Sequence, residues 1–186
     1  DLYSPVAERL GVDRAVAKIA VLAAMYGQRS GAAGEALRGL ERAYPVAMRH
    51  LDAAQRRGEG GLPVRTYGGR LVRTDLGDVG GADASQVEGL RRARGRFARN
   101  AVIQGSAAEL FKAWAVTVRE MVRPLGGQVV LCLHDELLVH VPEEHGERCA
   151  DVVDEALTLS ARRWAGHDAV RFVSDTTVVR RWSEAK

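Results

Sequence analysis

An α+β fold is predicted for this chain from three observations. Helical periodicity runs through 13–27, on both sides of Pro45, and through 85–99 and 100–122. Two β-prone runs meet at Gly68 and Gly69, a hairpin signal. The aliphatic stretches of "VVLCLHDELLVHVP" then bracket a polar tripeptide, His134, Asp135 and Glu136, which makes a small antiparallel sheet with an acidic β-hairpin over 129–142. With 186 residues, 46% of them hydrophobic, the chain can bury a core.

The elements follow in order. The opening "DLYSPVAERLGV" is short and mixed and predicts no element. Asp13 reads as the N-cap of a helix through "RAVAKIAVLAAMYG", with Gly27 as its stop. Arg14, Lys18, Leu22 and Tyr26 recur every four residues and so form one oblique stripe. Its two cations either keep a face wet, with their stems over the core, or await an anion. Pro45 suits the first turn of a further helix. "LGDVGGAD" reads as loop, and Ser85 with Glu88 as a capping box opening a helix that carries Arg91, Arg92, Arg94, Arg96 and Arg99. Arg92, Arg96 and Arg99 share a face. In the next helix Gly105, Ser106, Ala107 and Ala108 permit close approach, by default of another helix. After the acidic hairpin, "EEHGERCADVVDEALTLSARRWAG" predicts an amphipathic helix and "AVRFVSDTTVVRRW" a closing strand.

Composition excludes several classes. No run approaches the roughly 18 apolar residues of a membrane span, and the N-terminus lacks a basic region followed by an apolar stretch, so a soluble, cytoplasmic protein without a membrane partner is expected. Cys132 and Cys149 are too few for a disulfide framework or zinc cluster and are expected as reduced core thiols. Lysine occurs only at 18, 112 and 186, so 24 of 27 basic residues are arginine, which fits either phosphate contact or a GC-rich coding sequence. The hairpin would put Asp135 and Glu136 at a sheet rim, where they either cap backbone amides or hold a hard divalent cation. No G-x-S-x-G elbow, phosphate-binding loop or histidine pair at helical spacing is present, which disfavours hydrolase, nucleotide-loop and zinc chemistry.

Taken together, the motifs resemble those of the family-A DNA polymerases, the bacterial DNA polymerase I type. "RAVAKIAVLAAMYG" resembles the family's nucleotide-binding helix at Arg14, Lys18, Tyr26 and Gly27. "RFARNAVIQGSAAELFK" resembles its R-x-x-x-N-x-x-x-Q-G-T-A-A-D segment at Arg96, Asn100, Gln104 and Gly105, with Ser106 and Glu109 as conservative changes. "LCLHDELLVHVP" is similar to its palm motif, "WSEAK" to its usual ending, and "GGRLVRTD" to a Gly-Arg hairpin between the first two motifs.

The resemblance implies a fingers and palm fragment of a right-hand polymerase. Residues 1–60 would be fingers helices, and 61–186 the remaining fingers hairpin and the palm. It implies nucleotidyl transfer, with primer-template DNA, deoxynucleoside triphosphates and two Mg²⁺ ions as partners. Asp135 would ligate metal, Glu136 act beside it or through water, and His134 contact the primer terminus. Arg14, Lys18, Leu22 and Tyr26 would bind the nucleotide, and Gly27, Arg96, Asn100 and Gln104 the DNA. The family's other metal-binding strand, its thumb and any exonuclease domain are expected upstream of Asp1, leaving the fragment alone inactive. Leu22 and Ala23 stand where the family has an aromatic and a glycine beneath the sugar, and Val102 where it has a proline. These departures imply a divergent branch, a slower polymerase specialised for repair, and the resemblance itself implies a cytoplasmic, nucleoid-associated bacterial protein. The alternatives are a degenerate DNA-binding or scaffolding module, and a Mg²⁺-dependent phosphoesterase using Asp135 and Glu136.

Overall fold

Six α-helices and four strands are formed by the described residues of a computed structural model, which are 2–27, 31–75, 81 and 83–185. They are α1 (Tyr3–Leu10), α2 (Arg14–Tyr26), α3 (Gly31–Ala43), α4 (Pro45–Glu59), β1 (Val64–Arg65), β2 (Leu71–Val72), α5 (Ala84–Val122), β3 (Gln128–Leu133), β4 (Glu136–His140) and α6 (Gly146–Ala165). The α+β class holds, with helices dominating and each strand pair forming its own two-stranded antiparallel sheet. The chain divides into two compact units, Asp1–Ser106 and Ala107–Lys186.

Local chemistry sets the ends of the first unit's helices. The Asp13 side chain accepts a 2.8 Å hydrogen bond from the Val16 amide and so caps α2. Gly27 closes α2 at φ 69°, a left-handed conformation that glycine adopts without a Cβ penalty. Pro45 opens α4, where its missing N–H costs nothing. The opening segment, which carried no predicted element, forms α1. Pro5 falls within the first turn, whose amides have no intrahelical partner. The core gathers Ala24, Leu37, Leu40, Met48, Leu51, Ala54, Val64, Ala98 and Val102.

Close helix approach occurs at Gly58 and Gly95. A Cβ on Gly58 would lie 2.5 Å from the Arg94 carbonyl oxygen and 2.6 Å from the Ala98 Cβ, and one on Gly95 would lie 2.6 Å from Glu59 Cγ. The small residues near 105 receive a different neighbour from the helix expected there. A Cβ on Gly105 would meet Thr66 Cγ2 at 2.6 Å, and the Tyr67 amide donates to Ser106 Oγ at 2.8 Å. The β1–β2 hairpin docks on this part of α5.

The start of α5 also differs. Asp83 Oδ1 accepts from the Gln86 amide while Gln86 Oε1 accepts from the Asp83 amide, so the capping box is Asp83 with Gln86 and not Ser85 with Glu88. Glu88 instead pairs with Arg92 one turn on. The two helices expected over 85–122 are one, because nothing between 99 and 100 interrupts the backbone ladder. The loop expected over 76–83 falls mostly outside the described residues.

In the second unit, β3 pairs with β4 from Gln128↔His140 to Leu133↔Glu136, with a bulge between Val129 and Leu131. Trp114, Val118 and Val122 of α5 pack with Cys149, Val152, Val153, Ala156 and Leu157 of α6, and the Trp114 indole donates to the Val153 carbonyl. The amphipathic helix begins at Gly146, after a 3-10 turn over Glu143–His145.

Two expectations fail here. The closing run over 169–182 forms no strand. Its β-branched residues supply propensity, but a strand needs a partner ladder. Side chains hold the segment instead: Ser174 and Thr176 hydroxyls donate to Asp154 Oδ1, and Phe172 packs edge-on against Trp164. Of the two thiols, only Cys149 is a core residue, and burial pushes its pKa up. Cys132 is exposed, because Val129 and Leu131 take the more buried positions of β3 while Gln128, Val130 and Cys132 fall on exposed ones.

Two glycine substitutions test the helix packing. Gly58→Ala is expected to cost about 1–3 kcal/mol, since backbone must move to admit the methyl group. Gly89→Ala, with open space around it on α5, is expected to stabilise by about 0.5–1 kcal/mol through helix propensity. Urea denaturation of the two variants reads both signs.

Candidate functional site

The outer face of α2 is the first part of the site. Ala17, Ala20, Ala23 and Ala24 are its buried residues, and their small side chains let the helix sit close on its neighbours. Arg14, Lys18, Leu22 and Tyr26 are exposed, Leu22 at 37% and Tyr26 at 48%. At the helical rise the row from Arg14 to Tyr26 spans ~18 Å. Arg14 Cζ and Lys18 Nζ lie 5.4 and 5.9 Å from the ring centroid of Tyr3 on α1.

The other end of the row meets α5. Gln104 Nε2 donates to the Tyr26 hydroxyl at 3.3 Å, and a Cβ on Gly27 would sit 3.5 Å from Arg96 Cγ. Arg96 and Gln104 are exposed, and Asn100 between them is half-buried, its Oδ1 buried without a hydrogen-bond partner among the described residues. Two motifs about 70 residues apart therefore meet within the first unit. Leu22, Tyr26, Arg96 and Gln104 all remain available to a ligand.

Arg99 has a role that the sequence reading did not assign. Grouped above with the exposed row of Arg92 and Arg96, it is fully buried. Its Nε donates to the Ala24 carbonyl and its Nη1 to Asp52 Oδ1 and, at 3.2 Å, to Gln55 Oε1. A signal for this was present: Gly95, Ala98, Val102 and Gly105 make a buried stripe on α5, and Arg99 lies on it, four residues after the first and three before Val102.

The acidic turn belongs to the second unit. The Leu133↔Glu136 pairing leaves His134 and Asp135 as a two-residue loop, as expected of a rim position. His134 has φ 54°, the left-handed region usually given to glycine in such turns. The His134, Asp135 and Glu136 side chains are all exposed, and none of them is hydrogen-bonded or ion-paired among the described residues. A hard divalent ion takes oxygen ligands and keeps waters, so an unpaired Asp135 on a short turn fits as one ligand and Glu136 as a neighbour. Among the described residues no three His, Cys, Asp or Glu side chains converge, so these two carboxylates do not make a complete metal site by themselves.

Positive φ at a β-carbon-bearing residue costs on the order of 1 kcal/mol. His134→Gly is therefore expected to raise the stability of the second unit by about that amount in thermal or urea melts. A loss of stability would mean that the imidazole makes contacts that outweigh the strain.

Comparison with known proteins identifies the family of the chain. The profile of "DNA polymerase family A" matches residues 13–184. DNA polymerase I of Chloroflexus aurantiacus is 31% identical over 182 residues, which cover 85% of this chain and 18% of that protein. The thermostable DNA polymerase I of Thermus filiformis is 39% identical over 74 residues, covering 40% of this chain and 9% of the relative. The solved POL domain of Pol1 from M. smegmatis, in complex with DNA primer-template and dNTP, has a TM-score of 0.64 at 25% identity and covers 86% of this chain and 31% of that one. The chain thus spans under a fifth of the length of these curated relatives. No helix among the described residues is long and apolar enough to cross a membrane. With a profile match across nearly its whole length, the chain belongs to DNA polymerase family A.

Proposed function

We propose that this chain supplies the nucleotide-binding helix and a metal-ligand turn of a template-directed DNA polymerase, one that adds deoxynucleotides to a primer 3′-hydroxyl. The observation that carries this reading is the exposed row Arg14, Lys18, Leu22 and Tyr26, which ends in the hydrogen bond from Gln104. The Pol1 neighbour, solved with primer-template and dNTP, supports the same classes of partner.

Arg14 forks the triphosphate oxygens, and Lys18 offers a point charge to the departing pyrophosphate. Leu22 lies under the sugar in place of the family's aromatic, and Tyr26 offers its ring to the base on the template side. Gly27, Arg96, Asn100 and Gln104 contact the duplex, where minor-groove acceptors recur at every base pair and need no sequence reading. His134 faces the primer end, Asp135 ligates Mg²⁺ and Glu136 assists through water. Bound Mg²⁺ would stabilise charge on the attacking and leaving oxygens. Residues 1–60 serve as fingers helices and 61–186 as the rest of the fingers and the palm. The remaining ligands and the thumb come from elsewhere in the polymerase, which works on DNA in the cytoplasm. A second reading, a DNA-binding module that has lost its chemistry, draws on Leu22 and Ala23 at the sugar position.

Primer extension by the full-length polymerase tests the proposal. Asp135→Ala is expected to lower extension by about a hundredfold or more, and Arg14→Ala or Lys18→Ala to raise the KM for the triphosphate about tenfold. Wild-type extension by Asp135→Ala contradicts the assignment. A wild-type protein that binds primer-template but extends nothing at saturating Mg²⁺ and nucleotide leaves the binding-module reading in its place.

A further inference from the structure

One aromatic ring serves both cations of the α2 row. Tyr3 opens α1, is half-buried, and turns its ring toward α2, with Arg14 Cζ at 5.4 Å and Lys18 Nζ at 5.9 Å from its centroid. Both distances fall within the range in which the negative face of an aromatic ring attracts a cation. The arrangement opposes a specific cost. Arg14 and Lys18 are like charges four apart on one helix, a spacing at which they repel. An acidic residue at position 3 would offset that repulsion too, but it would compete with an anionic ligand for the same cations. A ring face draws both charges together without setting a carboxylate of its own against them, and Lys18 has no carboxylate partner among the described residues.

From this juxtaposition we propose that Tyr3 is a positioning residue for the incoming nucleotide: its ring holds Arg14 and Lys18 in a preorganised pair that receives the triphosphate. The inference rests on the reading of Arg14 and Lys18 as triphosphate ligands. It requires the face of the ring, and the hydroxyl takes no part.

Steady-state primer extension by the full-length polymerase, with triphosphate concentration varied on saturating primer-template, separates the possibilities. Tyr3→Leu keeps an apolar side chain but removes the quadrupole, and is expected to raise the KM for the triphosphate about three- to tenfold with little change in kcat. Tyr3→Phe keeps the ring face and is expected to remain within about twofold of wild type. In a Lys18→Ala, Arg14→Ala background the Tyr3→Leu effect should vanish, because the ring has no cations left to hold. Thermal melts of each variant identify any general loss of folding, which would lower kcat and active fraction without a selective change in KM. An unchanged KM for Tyr3→Leu overturns the proposal, as does a Tyr3→Phe variant as impaired as Tyr3→Leu. Failure of the underlying reading looks different: Arg14→Ala and Lys18→Ala would then keep the wild-type KM themselves.

Discussion

The first unit is organised around one buried guanidinium. Arg99 carries its charge at any physiological pH, and an uncompensated charge in a protein interior is among the costliest groups to bury. Its cost is offset by the Ala24 carbonyl at the end of α2 and by Asp52 and Gln55 on α4, with α5 providing the residue itself. Three helices are thereby tied at one point. The Ala24 contact sets the last turn of α2, and that turn carries Tyr26 and Gly27. Gly58 and Gly95 are part of the same device, since only bare backbone lets α4 and α5 approach closely enough for Arg99 to reach its partners. The positions of Tyr26, Gln104 and Arg96 relative to one another all follow.

On the outer face of α2 and at the acidic turn, by contrast, side chains are left exposed. The α2 row exposes two cations, an aliphatic side chain and an aromatic ring on one side of a helix whose other side is alanine packed into the core. The acidic turn in the second unit exposes a histidine and two carboxylates without partners among the described residues, and it holds the histidine at positive φ. Exposed apolar surface, unpaired charge and backbone strain each violate a local rule for stability. Such violations are expected where a surface is shaped for a ligand.

What could be read from sequence was local. Asp13, Gly27 and Pro45 act within one helical turn, and the alternation around His134–Asp135–Glu136 fixes its own hairpin. The motifs of the site were recognisable for the same reason, as each is carried by a few residues at set spacing. Two of the misses required information from distant residues, and the other two turned on local competition. Whether Arg99 faces water or core depends on α2 and α4, 75 and 47 residues away. The segment over 169–182 has strand-forming residues but no ladder to join, and Cys132 is exposed by strand alternation and not by its own hydrophobicity. At the start of α5 two capping boxes of equal spacing competed, and Asp83 with Gln86 prevailed over the pair two residues later.

Hydrogen exchange across α2 in Arg99→Gln, set against the wild type, tests the organising role of this residue most directly. The expected result is faster exchange, by about tenfold or more, confined to residues 23–27 and the facing turn of α4, with α6 protected as before. Unchanged protection at the end of α2, or acceleration spread evenly through the chain, would contradict the view that Arg99 pins the end of α2.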